Sequence, residues 1–287
     1  VQTCALPISQ PISTSFDLGG GRIVTIETGK LARQADGAVT VRQGNCIVFA
    51  TVVANKDPRE GQDFFPLSVD YQEKFASAGR IPGSFFKREA RLNDYEILTS
   101  RLVDRALRPL FPEDYLCDVQ VLINLISSDP EVMPDALACL AASAALAVSD
   151  IPIKEIISEV RIATIDGQMV VNPSRTELAK ATADFIIAAT EKNLMMVEGE
   201  AQECSEEDLV KALEVAHDAI RVQIKAQEQL RAAVGITTKR DYKKPESSEA
   251  TNEKVIAFAK DKIYEISKSG SSKNERSTAY DTLKKAL

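Results

Sequence analysis

SFFKREARLNDYEILTSRLVDRALRPLFP, residues 84–112, sets the organisation of this chain. Phe85 and Phe86 run directly into Lys87 and Arg88. Adjacent residues cannot share one face of a helix or a strand, so the tetrapeptide reads as a loop displaying aromatic rings beside positive charge. Behind it, Asn93 and Glu96 have capping-box spacing for a helix that ends at Pro109. Along that helix Arg101, Arg105 and Arg108 fall at i, i+4 and i+7 on one face, while Leu98, Leu102 and Ala106 form a separate stripe expected to dock on the core. Between Arg80 and Arg108 stand seven basic and four acidic residues, a local +3 in a chain of formal net charge −7. Bases stacked on exposed phenylalanine, with phosphates held by Arg and Lys, would make this a site for single-stranded RNA or DNA. The same spacing fits a surface helix laced with salt bridges, because Asp104 lies three residues from Arg101 and four from Arg108.

Strand signals dominate the flanks of this segment. Residues 22–28, 38–42 and 46–54 are β-branched runs, the last two separated by Gly44-Asn45 as a hairpin would be. Residues 118–127 read as a long strand, apolar on both faces, and residues 159–164 and 168–171 flank Asp166-Gly167, a second hairpin signal. Residues 183–190 and 194–199 supply two more strands. Gly19-Gly20-Gly21 precedes a strand, not a helix, and reads as a flexible lead into the sheet, not a phosphate-cradling loop. The apolar run 136–148 is too short and too rich in small residues for a membrane span. With Pro134 and Asp135 at its start it reads as a closely packed core helix. A long helix over residues 205–234 is opened by Ser205 and closed by Gly235, with Leu209, Leu213, Ala216, Ile220 and Ile224 facing inward. His217, the only histidine, lies beside that stripe, offers a metal no second imidazole, and reads as structural. Residues 236–252 turn polar and mark a linker, and residues 253–287 form two amphipathic helices. The fold class is therefore α/β (α+β), a mixed sandwich followed by a small all-α unit.

With 287 residues, 44% hydrophobic and 27% charged, the chain has the composition of an ordinary soluble protein. Cys46, Cys117, Cys139 and Cys204 lie far apart without a CxxC pair, and read as reduced, buried thiols of a cytoplasmic protein, not a disulfide frame or zinc site.

GRIPGSFFKREARLNDYEILTSRLVDRALRPLFP, with DFFPLSVDYQEK before it, resembles the first core domain of the polynucleotide phosphorylase family, ring-shaped 3′-to-5′ exoribonucleases that use inorganic phosphate. The resemblance runs from about Phe16 to the C-terminus and weakens after Gly235. It implies an RNase PH-like βαβα core over residues 10–235, a linker over 236–252 and the start of an all-helical domain over 253–287. Residues 1–9 carry no family character and are expected to be a non-native leader. The resemblance also implies single-stranded RNA as partner, a homo-oligomeric ring, expected to be a trimer, with no membrane association, and magnesium with inorganic phosphate as co-reactants. RNA contacts would fall on Phe85, Phe86, Lys87, Arg88, Arg101, Arg105 and Arg108; Lys87 stands where arginine is usual in the family.

Family members carry catalysis in a second core, with a serine-rich phosphate loop, two aspartates and a lysine around a divalent metal. Here ISSDPEVMPDALA lacks the serine run, Glu177 and Asp184 match the two aspartates, and Ile186 falls where the lysine would stand. No catalytic or metal-binding residue is therefore assigned in this chain. Two other readings remain open: a transfer-RNA-trimming enzyme of the RNase PH type, and a non-catalytic RNA-binding ring subunit of an exosome-like assembly.

Overall fold

The computed structural model describes residues 11–83, 91–244 and 249–287. Phe85, Phe86, Lys87 and Arg88, and residues 1–9, lie outside the described residues. The chain divides into two compact units, Val1–Lys243 and Lys244–Leu287.

The first unit contains a six-stranded sheet made of β1 (Ile12–Asp17), β2 (Ile23–Thr28), β3 (Gly37–Gln43), β4 (Cys46–Ala54), β5 (Leu67–Glu73) and β6 (Val119–Ser127), in the order β1-β2-β3-β4-β6-β5. All pairings are antiparallel except β5 with β6. A four-stranded antiparallel sheet follows, of β7 (Ser158–Ile165), β8 (Gln168–Val171), β9 (Ala183–Ala189) and β10 (Leu194–Ala201), in the order β10-β9-β7-β8. Both hairpin signals are realised. Gly44 has φ 59° between β3 and β4, and Asp166 and Gly167 have φ 49° and 75° between β7 and β8, the positive angles that tight hairpin turns demand. Strand β1 lies upstream of the runs recognised in the sequence, and the three glycines form its turn into β2, where the Asp17 carboxylate accepts Gly19 N–H at 2.8 Å.

Between the sheets lies α2 (Pro134–Ala147), buried along its whole length and packed against β3, β4, β6 and β7. Small residues make this possible: a Cβ on Gly37 would fall 2.1 Å from Ala145 O, so only glycine lets β3 approach the helix so closely. Beside α2 runs α4 (Glu206–Val234), capped by Ser205 and ended by Gly235 in the left-handed conformation. Its inward side includes two buried amides that apolar periodicity cannot reveal: Ser158 Oγ donates to Gln223 Oε1 at 2.6 Å, and Gln227 Nε2 donates to Ile157 O at 2.9 Å. His217 Nε2 meets Thr190 O at 3.0 Å, a structural contact. Cys46, Cys117 and Cys139 are buried, but Cys204 is exposed because it sits in the turn before α4 rather than in an apolar strand.

Residues 239–242, polar in sequence, are tied to the first unit. Lys239 Nζ donates to the carbonyls of Leu146 and Ser149 at 2.9 and 2.7 Å, satisfying the open C-terminus of α2. Arg240 bridges Asp36 and Asp150, and Tyr242 O–H donates to Asp114 at 2.5 Å. The second unit is a helical hairpin of α5 (Glu249–Lys268) and α6 (Lys273–Lys285), the latter opened by a Ser272–Glu275 capping box; neither helix has a buried residue. No helix among the described residues is long and apolar enough to cross a membrane.

Candidate nucleic-acid interface

The arginine helix is α1 (Asp94–Leu107), continued by a 3₁₀ turn at Arg108–Leu110. The expected capping box is present, and its glutamate does a second job. Strand β5 is an edge strand, whose outward N–H groups need acceptors. Glu96 Oε2 accepts Asn93 N–H at 2.7 Å while Oε1 accepts Glu73 N–H at 2.7 Å, and Ser100 Oγ accepts Tyr71 N–H at 2.9 Å. The docked face is therefore Glu96, Thr99, Ser100, Val103, Ala106 and Leu107. This corrects the expected stripe: Ala106 is buried, Leu102 is partly buried, and Leu98 is 58% exposed. Hydrogen bonding to the strand edge, rather than apolar periodicity alone, sets the rotation of the helix.

The three arginines meet different partners. Arg101 is exposed and has no hydrogen bond or ion pair among the described residues. Arg105 is paired with Glu198 of β10. Arg108 is bonded to Asp104 at 2.5 Å and donates to Phe65 O and Leu67 O at 3.1 and 3.2 Å, with the Phe65 ring 5.8 Å away. Its work is to fasten the end of α1 to the entry of β5.

Arg101 and Arg105 overlook a cleft of about 460 Å³ between α1 and the β9–β10 ribbon. On its far wall Arg161 of β7 stands opposite Ile186 of β9, and Asp184 stands opposite Glu200 of β10. The Arg161 guanidinium is divided between Asp135, at the start of α2, and Asp184. Burial pushes the Asp184 carboxyl above its ordinary value despite Arg161 beside it. Glu159, two residues before Arg161, is completely buried with no hydrogen-bond partner on either oxygen among the described residues. Burial, with Asp135 nearby, pushes it up to about 8.

Glu177 and Asp184 do not converge. Glu177 caps the short helix α3 (Arg175–Leu178) through a capping box with Ser174, whose hydrogen bonds hold its carboxyl below the usual range, whereas Asp184 is engaged by Arg161. Asp184 keeps one oxygen without a partner. A single carboxylate oxygen does not fit magnesium, which takes near-octahedral oxygen coordination, and no group of three acidic, cysteine or histidine ligands assembles among the described residues. The cleft can thus offer Arg101 to an anion, and Arg105 if Glu198 releases it.

Residues 20–152 match domain 1 of the 3′ exoribonuclease family, RNase PH, and residues 155–219 match its domain 2. The polyribonucleotide nucleotidyltransferase of Bacteroides fragilis is 55% identical over 275 residues, covering 96% of this chain and 39% of its own length. That of Parabacteroides distasonis is 54% identical over 273 residues, covering 95% and 37%. The chain thus spans less than half the length of these relatives. Among solved structures, a chain of the Archaeoglobus fulgidus exosome with RNA bound to the active site superposes with a TM-score of 0.57 at 18% identity, covering 72% of this chain and 88% of that one. The similarity supports the RNase PH-like fold.

Proposed function

Because the chain belongs to the 3′ exoribonuclease family, we propose that it is the RNA-contacting and assembly-forming portion of a polyribonucleotide nucleotidyltransferase, which shortens RNA from its 3′ end by phosphorolysis. In that reaction a phosphate oxygen attacks the phosphorus of the terminal phosphodiester. The bond to the preceding 3′ oxygen breaks, and the terminal nucleotide leaves as a nucleoside diphosphate.

The observation that carries this division of labour is the state of the cleft below α1. It presents Arg101, unpaired among the described residues, while position 186 is a buried isoleucine and the neighbouring Asp184 is bonded to Arg161. An isoleucine cannot balance charge on a reacting phosphate, so the cleft is suited to holding RNA and not to cleaving it. Phe85 and Phe86 are assigned to base stacking, Lys87, Arg88 and Arg101 to phosphates, Arg105 to a phosphate in exchange for Glu198, and Arg108 to positioning the helix. Residues 10–235 are assigned to the first core, 236–252 to a linker and 253–287 to the start of a helical domain. Magnesium and the attacking phosphate belong, in this reading, to the part of the relatives' length that this chain does not span. The complete protein is assigned to a trimeric ring in the cytoplasm.

The test is binding of labelled single-stranded RNA to the purified chain, together with an assay for nucleoside diphosphate in phosphate and magnesium. Arg101→Ala should weaken binding and reduce the log–log salt slope by about 0.7, the share of one phosphate contact. Loss of a stacking ring in Phe85→Ala should cost about 1–3 kcal/mol. Phosphate-dependent release that survives purification and disappears in Asp184→Ala would move the chemistry into this cleft and overturn the proposal.

A further inference from the structure

Strand β3 turns Val39, Val41 and Gln43 to the buried side of the six-stranded sheet, and the last of these breaks the apolar pattern. Gln43 is 9% exposed, and its side-chain amide has no hydrogen bond among the described residues. Native proteins match nearly all of their buried amides, so an unmatched one asks for a partner. Gln43 lines a cavity of about 330 Å³, bounded by the β1–β2 turn, the end of β3, the approach to α2 and the exit of β8.

The walls of this cavity are fixed from behind. Arg22 Nη1 donates to the carbonyls of Val171 and Asn172, each at 2.8 Å, and so fastens the entry of β2 to the end of β8. Asn172, at φ 45°, accepts Arg161 N–H on its Oδ1 at 2.8 Å. Glu131 accepts the N–H and O–H of Thr176 at 3.2 and 2.9 Å, Glu177 closes its capping box with Ser174, and Asp135 is held by Arg161. Each charged group in the lining therefore already has a partner in the wall. Three carboxylates also outnumber two guanidiniums there, which disfavours a phosphate or any other anion. The hydrogen-bonding capacity left over is the Gln43 amide, which offers N–H donors beside a carbonyl acceptor. Around it Ile23, Val132, Met133 and Pro173 supply apolar surface.

A flat apolar molecule whose edge carries an acceptor next to a donor satisfies both the amide and the walls. Nucleobases have this chemistry, and glutamine pairs in this bidentate way with the N6/N7 edge of adenine. The volume is at the low end of ligand pockets, about 300–1,000 Å³, which suits one heterocycle with its sugar at the mouth. We propose that this cavity is a nucleobase-binding site in which the Gln43 amide reads the base edge. It shares Asp135 and Arg161 with the cleft below α1 but takes in no residue of that helix, so it is a second site. A free nucleoside and a base of an RNA strand carry the same edge, and the experiment separates the two sources.

The full chain, labelled with ¹⁵N, is titrated with adenosine and separately with a short oligoadenylate. The side-chain NH₂ resonance of Gln43, identified by its loss in Gln43→Leu, is followed by NMR. It should shift on titration, and Gln43→Leu should bind the same probe at least tenfold more weakly in equilibrium dialysis. A response to adenosine upholds the site as one for free nucleosides, and a response to oligoadenylate alone upholds it as one for a strand base. Should circular dichroism show Gln43→Leu to be unfolded, Gln43→Glu, which keeps the shape and loses the donors, takes its place. No shift with either probe, equal affinity in the variant, or the same shift with inorganic phosphate alone overturns the proposal. The Gln43 resonance does not report on α1, so this site can fail while RNA contact through Arg101 stands.

Discussion

Replacing Arg161 with methionine removes the cation around which one wall of the cleft is built. Its side chain is 12% exposed, and its partners Asp135 and Asp184 are 1% and 24% exposed. Methionine fills much of the same volume but leaves Asp135 as a buried, uncompensated charge, with Glu159 close enough to feel it. Breaking a buried ion pair from one side costs about 3–5 kcal/mol, because the surviving charge keeps its desolvation penalty. For a domain the size of the first unit, each kcal/mol moves Tm by about 2–4 °C, so the expected fall is roughly 6–20 °C. Differential scanning calorimetry of the full chain measures it. Adding Asp135→Asn to Arg161→Met removes the stranded charge and should restore more than about 1 kcal/mol, a coupling that independent sites would not show. A loss below about 1 kcal/mol in Arg161→Met, or additive behaviour in the double variant, would refute the reasoning.

Glu159 keeps its proton up to about 8 in the folded chain but loses it near 4.5 when unfolded, so the wild type should lose stability as pH rises between these values. Glu159→Gln should therefore gain on the wild type by a few kcal/mol, order of magnitude, between pH ~5 and pH ~8, and a gap in urea-unfolding free energy that stays constant with pH would rule this out. Ser100→Ala strands the Tyr71 N–H at the covered edge of β5 and should cost about 1–3 kcal/mol, with faster hydrogen exchange at Tyr71; unchanged exchange would show that the edge does not need this acceptor. Burial lowers the Lys239 amine from 10.5 to about 8, so its charged form is disfavoured in the folded chain and stability should rise as pH climbs from about 8 towards 10.5. Lys239→Met should lack that rise, and identical pH profiles for the two proteins would exclude the assignment.

Strands β2 to β4 and β6 to β10 were legible because period-two β-branched runs and Gly44-Asn45 and Asp166-Gly167 turns are local signals, and α2 was legible because twelve of the thirteen residues from 136 to 148 are hydrophobic residues in one run. Strand β1 was missed because ISTSFD buries only Phe16, so it carries little apolar alternation. The inward face of α1 was misplaced for a different reason. Glu96 and Ser100 look like solvent-facing residues until β5 is placed beside them, and only the strand edge makes them good core-facing choices. Arg161 had a signal that went unread: a lone arginine in a strand with buried neighbours on both sides, and a lone aspartate opening an apolar helix. Charges in such segments are rarely left unpaired. What sequence could not supply was the partner of each arginine. The spacing of Arg101, Arg105 and Arg108 fixes a helical face, but Glu198 comes from another sheet and the Phe65 and Leu67 carbonyls from another strand.

The register of β7 with β9 explains why isoleucine at position 186 and arginine at position 161 belong together. Directly opposed residues share one face of a sheet, and like charges there are destabilising. A lysine at 186 would face the Arg161 guanidinium across the β7–β9 pair, in a wall where that cation already bridges Asp135 and Asp184. With Ile186 the same position joins the buried apolar core alongside Met196, and the single arginine bridges both carboxylates. The positive charge of this wall is thus turned inward, towards α2, and is unavailable to a phosphate in the cleft. Among the described residues, the cleft's free cationic charge therefore comes from Arg101 of α1 and not from the strand that carries Asp184.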